Sequence, residues 1–128
     1  MTSAENQKIV QRWAELYNTD VHRMIDESYA EDFVLICPGL LHLDDRQRFH
    51  EVEQAVLDVA PDRRFVVEQT YESDPDHVIA ECVLQGTDPE TGKDWESFFC
   101  AILTIEDGKI TSDRSYIDRT TWPWIRDQ

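Results

Sequence analysis

The chain has 128 residues, 41% of them hydrophobic, which predicts one domain with a real core over residues 1–128. It carries 27 Asp and Glu against 12 Lys and Arg, a formal charge of −15. This charge repels phosphate groups, so neither nucleic-acid binding nor attachment to an anionic membrane is expected.

Three segments of the first half place apolar residues at helical spacing. They are residues 3–17, a short segment over 21–29, and a segment that starts after Asp44 or Asp45 and stops at Pro61. Residues 33–37 between the second and third helices form a short apolar strand.

The second half of the chain changes to a period of two, which predicts strands over residues 64–72, 77–86, 94–106 and 109–118. The third of these strands has apolar residues at both parities. Phe99, Ala101 and Leu103 point one way, and Phe98, Cys100 and Ile102 point the other. Both faces of this hairpin are therefore expected to be buried, one around a pocket and one against another surface.

This order predicts an α+β domain with three helices packed on one face of a curved, four-stranded antiparallel meander. The concave space between the helices and the inner sheet face is the default ligand pocket. The outer face, with Ile79 and Val83 beside the residues of the neighbouring strand, is too apolar to stay bare, which predicts a homodimer through the sheet.

Motifs for metals, phosphates and disulfides do not occur in the sequence. The four histidines lack ligand spacing, and there is no glycine-rich phosphate loop or serine elbow, so no metal and no cofactor are expected. The three cysteines are odd in number, which argues against a disulfide framework and favours a reducing compartment. No signal peptide and no long apolar run are recognisable, and we expect a cytoplasmic protein.

Asp118 is the first candidate for chemistry, because a carboxylate that ends an apolar strand needs a reason. It is either a general acid or base at the pocket mouth or a surface carboxylate paired with Arg114 or Arg119. Its neighbours Ser115 and Tyr116 either hydrogen-bond a substrate or are ordinary strand residues.

Five further residues have two interpretations each. Trp13, Tyr17 and Phe33 line a pocket for a flat ligand or belong to the core. Glu81 is a second pocket carboxylate or a polar residue of the outer sheet face, and His50 is a proton carrier or a solvent-facing side chain.

Three features together indicate a known family: the helix order, the meander, and the run D-G-K-I at 107–110 followed by Y-I-D at 116–118. In these features the chain resembles the nuclear transport factor 2-like superfamily, in its SnoaL-like, polyketide-cyclase-like branch. The run E-S-D-P-D-H-V-I-A-E-C at 72–82 is locally similar to the phenazine-biosynthesis A/B proteins. The resemblance implies a conical α+β barrel with a deep pocket, commonly a homodimer through the outer sheet face. It also implies activities such as polyketide cyclisation, ketosteroid isomerisation, dehydration or epoxide hydrolysis.

The family's functional residues are only partly present, in an ungapped register from Gly108. The acidic residue that the cyclases carry on the last strand falls on Ser115, and the cyclase histidine falls on Ala101. The Arg-x-Asp pair of the epoxide hydrolases falls on Cys82 and Leu84, and only their last-strand Asp has a match, at Asp118. Ser115 and Asp118 have opposite parity, so both face a pocket only across a bulge or at a strand end.

Three functional hypotheses follow. The first is a cofactor-free acid–base enzyme of small-molecule metabolism, acting on an apolar cyclic, carbonyl-bearing substrate by isomerisation, cyclisation, dehydration or condensation. Its expected catalytic residues are Asp118, Tyr116 and Ser115, and its expected walls are Trp13, Tyr17, Phe33, Cys82, Leu84, Phe99 and Ala101. The second is a non-catalytic module that binds or carries a small apolar or aromatic ligand, and the third is a dimerisation domain whose own side chains fill the pocket.

Overall fold

A computed structural model describes residues 3–123 and shows three helices and six strands. The predicted α+β architecture, with the helices packed on a curved sheet, is confirmed. No helix within this range is long and apolar enough to cross a membrane. The elements are α1 (Ser3–Thr19), α2 (Val21–Ser28), β1 (Tyr29–Cys37), β2 (Leu41–Leu43), α3 (Arg46–Val59), β3 (Arg64–Asp74), β4 (His77–Thr87), β5 (Asp94–Glu106) and β6 (Lys109–Ile117).

The strands form one sheet in the order β2-β1-β6-β5-β4-β3. Strands β3 to β6 are the predicted antiparallel meander. Strand β1 joins it by pairing parallel to β6, which sets Leu35 beside Asp113. The ends of this order, β2 and β3, are not paired with each other in the described sheet, so the sheet is open and mixed rather than a closed barrel.

The first strand is longer than predicted. It begins at Tyr29 rather than at residue 33, because Tyr29 pairs with Ile110 of β6, and the pairing resumes at Val34 after a register shift. After Cys37 the chain reverses through Gly39, whose φ of +78° is a conformation that glycine adopts without strain. The reversal allows three residues, Leu41–Leu43, to pair with β1 as a strand that the sequence does not predict.

Helix α3 is the element that leaves room for a site. Its first turn is capped by Asp45, whose side chain accepts a hydrogen bond from the Arg48 backbone N–H at 2.9 Å. Only Phe49 on this helix is fully buried, and Val52 and Val56 on the same side of the helix border a cavity.

The two faces of the sheet differ as the alternation in β5 predicts. Ala101 and Leu103 on the inner face are fully buried under the helices. On the outer face the side chains of Phe98 and Tyr116 are 54% and 48% exposed, and no described helix covers them. An apolar face of this kind is what the predicted dimer would bury.

Candidate functional site

A cavity of about 480 Å³ lies between the three helices and the inner sheet face. The exposed residues Leu40, Arg48 and Glu51 also line it, so the cavity reaches the protein surface and is not filled by the domain's own side chains. Its apolar walls include Trp13, Leu35, Phe49, Val52, Val56, Phe65, Leu84, Phe99 and Ile117. Its polar groups come from Tyr17, Tyr29, Glu53, Asp113 and Ser115.

Asp113 is the centre of a buried hydrogen-bond network in this cavity. The Tyr29 hydroxyl donates to Asp113 Oδ2 at 2.7 Å, and the Ser115 hydroxyl donates to Oδ1 at 2.6 Å. The indole N–H of Trp13 donates to the Tyr29 oxygen at 3.0 Å, which orients the tyrosine toward the carboxylate. Strand β6 places Asp113 and Ser115 on the same face because they are two residues apart.

Burial sets the protonation behaviour of this network. Asp113 is 3% exposed, and the loss of hydration raises the pKa of its carboxyl group, although the bonds from Ser115 and Tyr29 oppose the rise. Burial, followed by the charge of Asp113, raises the pKa of Tyr29 as well, so the tyrosine keeps its proton and is the donor. A carboxylate has about four acceptor positions, and two remain for a ligand.

Glu53 supplies a second carboxyl group to the cavity from α3. The pKa of Glu53 is raised from 4.5 to about 7, mainly by burial. Attraction to Arg63 and to His22 opposes the rise, and repulsion by Asp113 adds to it. Its Oε2 is buried and has no hydrogen-bond partner among the described residues. The Arg63 guanidinium lies 4.4 Å above the Tyr17 ring.

The structure corrects the predicted position of Asp118 and Tyr116. Both lie outside the cavity, in a shallow groove on the outer sheet face next to Phe98. Asp118 is exposed, and its carboxylate accepts hydrogen bonds from the Thr120 backbone N–H at 3.0 Å and hydroxyl at 2.6 Å, which lower its pKa. From Ser112 to Ile117 strand β6 pairs with β5 without a bulge, so Ser115 faces inward and Asp118, three residues later, has the opposite parity.

The predicted walls are partly in place. Trp13, Tyr17, Leu84 and Phe99 line the cavity, and so does Ser115. Phe33, Cys82 and Ala101 do not, which corrects their predicted role as walls. All three are at most 2% exposed and belong to the core behind the cavity, with Phe33 packed against the rings of Tyr29 and Phe49.

The remaining candidates also lie elsewhere. Glu81 is exposed on the outer face. The His50 ring nitrogens lie 2.9 Å from Asp26 Oδ1 and 2.7 Å from His22 Nδ1, in a cluster between α2 and α3. The tail residues Trp122 and Trp124 carry a large apolar area, and the sequence predicts that they pack on α1, the pocket mouth or a dimer partner. Trp122 is buried and lines the cavity, and Trp124 lies outside the described residues.

Sequence reasoning missed Asp113 and Glu53, although a signal for each exists. Asp113 shares its strand parity with Ser115, which already has an inward position in the family register. Glu53 follows Phe49 by four residues and so lies on the apolar stripe of α3. A charged residue on an apolar face is the pattern that marks both.

The sequence matches the SnoaL-like domain over residues 10–113. No curated protein matches it in sequence. Its fold is similar to three solved structures that are each less than 25% identical to it.

IdmH, a candidate polyketide cyclase from Streptomyces antibioticus, is 23% identical over 90% of this chain and 93% of its own, with a TM-score of 0.80. A candidate polyketide cyclase from Acidithiobacillus ferrooxidans is 18% identical over 99% of both chains, with a TM-score of 0.81. An LEH-like epoxide hydrolase from M. tuberculosis is 15% identical over 92% of this chain and 86% of its own, with a TM-score of 0.74.

Proposed function

The chain belongs to the SnoaL-like domain family, and from this we propose that it is a cofactor-free acid–base enzyme of small-molecule metabolism. Its substrate is apolar, cyclic and carbonyl-bearing, and the reaction is an isomerisation, cyclisation, dehydration or condensation. The observation that carries the proposal is the carboxyl group of Asp113, which is held by two hydroxyl donors inside an apolar cavity. The names of the similar structures, polyketide cyclase and epoxide hydrolase, are consistent with small-molecule chemistry.

In this proposal the proton-transfer group is Asp113 rather than Asp118. A carboxylate whose hydration is replaced by apolar walls is a stronger base than one in water, and its raised pKa moves toward the range useful for general acid–base catalysis. It removes a proton from the carbon next to the substrate carbonyl and returns it at a second position. Ser115 keeps its expected role of orienting group, and Tyr29 takes the role first expected of Tyr116.

A non-catalytic binding module of the same fold is the second candidate. It is favoured by Ala101, which stands where the family resemblance implies the cyclase histidine and is fully buried. A module of this kind would bind apolar ligands in the cavity and accelerate no reaction there.

We also propose that the protein is a homodimer through the outer sheet face, in the cytoplasm. The exposed rings of Phe98 and Tyr116 on this face support the dimer. Three free cysteines, two of them buried, fit a reducing compartment.

The two candidate functions are separated by a reaction that needs only a base in an apolar cavity. In the Kemp elimination of 5-nitrobenzisoxazole, the base removes the ring C–H proton, the N–O bond breaks, and a coloured nitrophenolate forms. We expect the protein to accelerate this reaction and Asp113→Asn to abolish the acceleration, with Asp118→Asn as the matched control that retains it. Binding of the compound without acceleration would support the binding module, and loss of activity in Asp118→Asn alone would overturn the assignment to Asp113.

A further inference from the structure

Glu53 is a carboxyl group of the cavity that the proposed reaction does not use. It lies on α3 between Val52 and Val56, which border the same cavity. Its Oε2 is buried and lacks a hydrogen-bond partner in the described part of the chain, whereas both oxygens of Asp113 have one. An ionised carboxylate in this position has lost hydration without receiving full compensation from the protein.

Arg63 compensates this charge only in part. It attracts Glu53, but burial outweighs the attraction and leaves the pKa of Glu53 at about 7. The Arg63 guanidinium is stacked on Tyr17, and none of the ion pairs within 4.0 Å among residues 3–123 includes Glu53. Asp113 adds a second negative charge to the same cavity.

The walls near these carboxyl groups suit a positive charge as well. The Phe65 ring lies 4.8 Å from that of Trp13, 4.5 Å from that of Tyr17 and 5.5 Å from that of Phe99, all measured between ring centroids. The negative faces of aromatic rings attract cations, more strongly where water is excluded. Arg48 and Glu51 at the rim carry opposite charges that offset each other, which leaves the two inner carboxyl groups and the aromatic lining. The cavity therefore favours a cation over an anion of the same size.

We propose that the ligand of this cavity carries a protonated amine on its apolar ring system, and that Glu53 binds this ammonium group. The inference rests on the proposed function in taking the cavity as the ligand site, and it adds the charge of the ligand. The ring system packs on the apolar walls, and the ammonium donates a hydrogen bond to the carboxylate of Glu53. A ligand carboxylate is repelled by Glu53 and Asp113.

The proposal has a consequence for the pH dependence of binding. An ammonium ligand binds the ionised form of Glu53, so its affinity rises with pH through a value of about 7. Between pH 6 and pH 8 the ionised fraction of Glu53 rises about tenfold, and the affinity of a permanently protonated ligand rises by about the same factor. A neutral ligand of the same shape shows no such rise.

The test uses two compounds with the same bicyclic frame, 1-naphthylmethylammonium and 1-naphthalenemethanol, and measures their binding by isothermal titration calorimetry. At pH 8 we expect the ammonium compound to bind the wild-type protein about tenfold more tightly than the alcohol. Glu53→Gln should remove this preference and leave alcohol binding unchanged. Asp58→Asn is the matched control, because it removes an exposed carboxylate of the same helix that does not line the cavity, and it should keep the preference.

Each other outcome has a defined meaning. Equal affinity for the two compounds, or a preference that survives in Glu53→Gln, overturns the proposed role of Glu53. Ammonium affinity that stays constant between pH 6 and pH 8 in the wild-type protein also overturns it, and this measurement needs no variant to fold. Binding of the alcohol alone refutes the inference but leaves the proposed function intact, whereas binding of neither compound contradicts both.

Discussion

Replacing Glu53 with Gln is expected to stabilise the protein at pH 8 and to change its stability little at pH 4.5. In the folded protein burial raises the pKa of Glu53 from 4.5 to about 7, so the unfolded chain ionises at lower pH than the folded one. Protonated Glu53 is therefore bound to its proton more tightly in the folded state, which adds to the free energy of unfolding. This contribution is complete below about pH 4.5 and is lost as the pH rises through about 7. Gln has the shape of the protonated acid and cannot ionise, so the variant avoids this loss.

The size of the effect follows from the difference between the two pKa values. A rise from 4.5 to about 7 corresponds to about 3 kcal/mol at 1.36 kcal/mol per pKa unit. Since Glu53 borders the cavity, water in it screens part of this energy, and we expect a gain of about 1–3 kcal/mol at pH 8. In a domain of 128 residues this corresponds to a rise of several degrees in Tm.

Urea unfolding of both proteins at pH 4.5, 6 and 8 measures the difference directly. Glu51→Gln is the control, because Glu51 is an exposed carboxylate on the same helix. A gain in Glu53→Gln that is the same at pH 4.5 and pH 8 would refute the reasoning. A loss of stability at pH 8 would show that Arg63 stabilises the ionised carboxylate more than burial destabilises it.

Three further predictions concern the network, the outer face and the tail. Tyr29→Phe removes the 2.7 Å hydrogen bond to Asp113 and should cost about 1–3 kcal/mol in urea unfolding, while an unchanged midpoint would show that the bond does not contribute. Phe98→Asp should convert the dimer to a monomer in sedimentation, because the 54% exposed ring contributes about 2–3 kcal/mol per copy to association when it is covered. A wild-type protein that sediments as a monomer would contradict the dimer. Truncation after Arg119 removes Trp122, which is 8% exposed, and should lower Tm by several degrees; an unchanged Tm would show that the tail is passive.

The architecture was predictable because it depends on local periodicity. Helical spacing identifies α1 and α3, and the period of two identifies all four strands of the meander. What the sequence did not predict depends on distant partners. Leu41–Leu43 is too short to show a period, and the early start of β1 at Tyr29 depends on its pairing with β6, about 80 residues away.

The site was predictable in its walls and not in its chemistry. Trp13, Tyr17 and Phe99 line the cavity because their elements were identified correctly and their parity follows. Asp113 stands among polar neighbours in T-S-D-R-S and looks like a surface residue of the strand. Its hydrogen-bond partner Tyr29 is 84 residues away in sequence, so apart from its parity with Ser115 no local pattern reveals its burial.

The central claim is that the proton-transfer group of the cavity is Asp113 and not Asp118, and one titration tests it. The carboxyl pKa values of both residues can be measured in one sample by carbon-13 NMR. Burial predicts a pKa for Asp113 above the ordinary aspartate value of 3.8, and the hydrogen bonds from Thr120 predict a pKa for Asp118 below it. A depressed value for Asp113 together with a raised value for Asp118 would contradict the account.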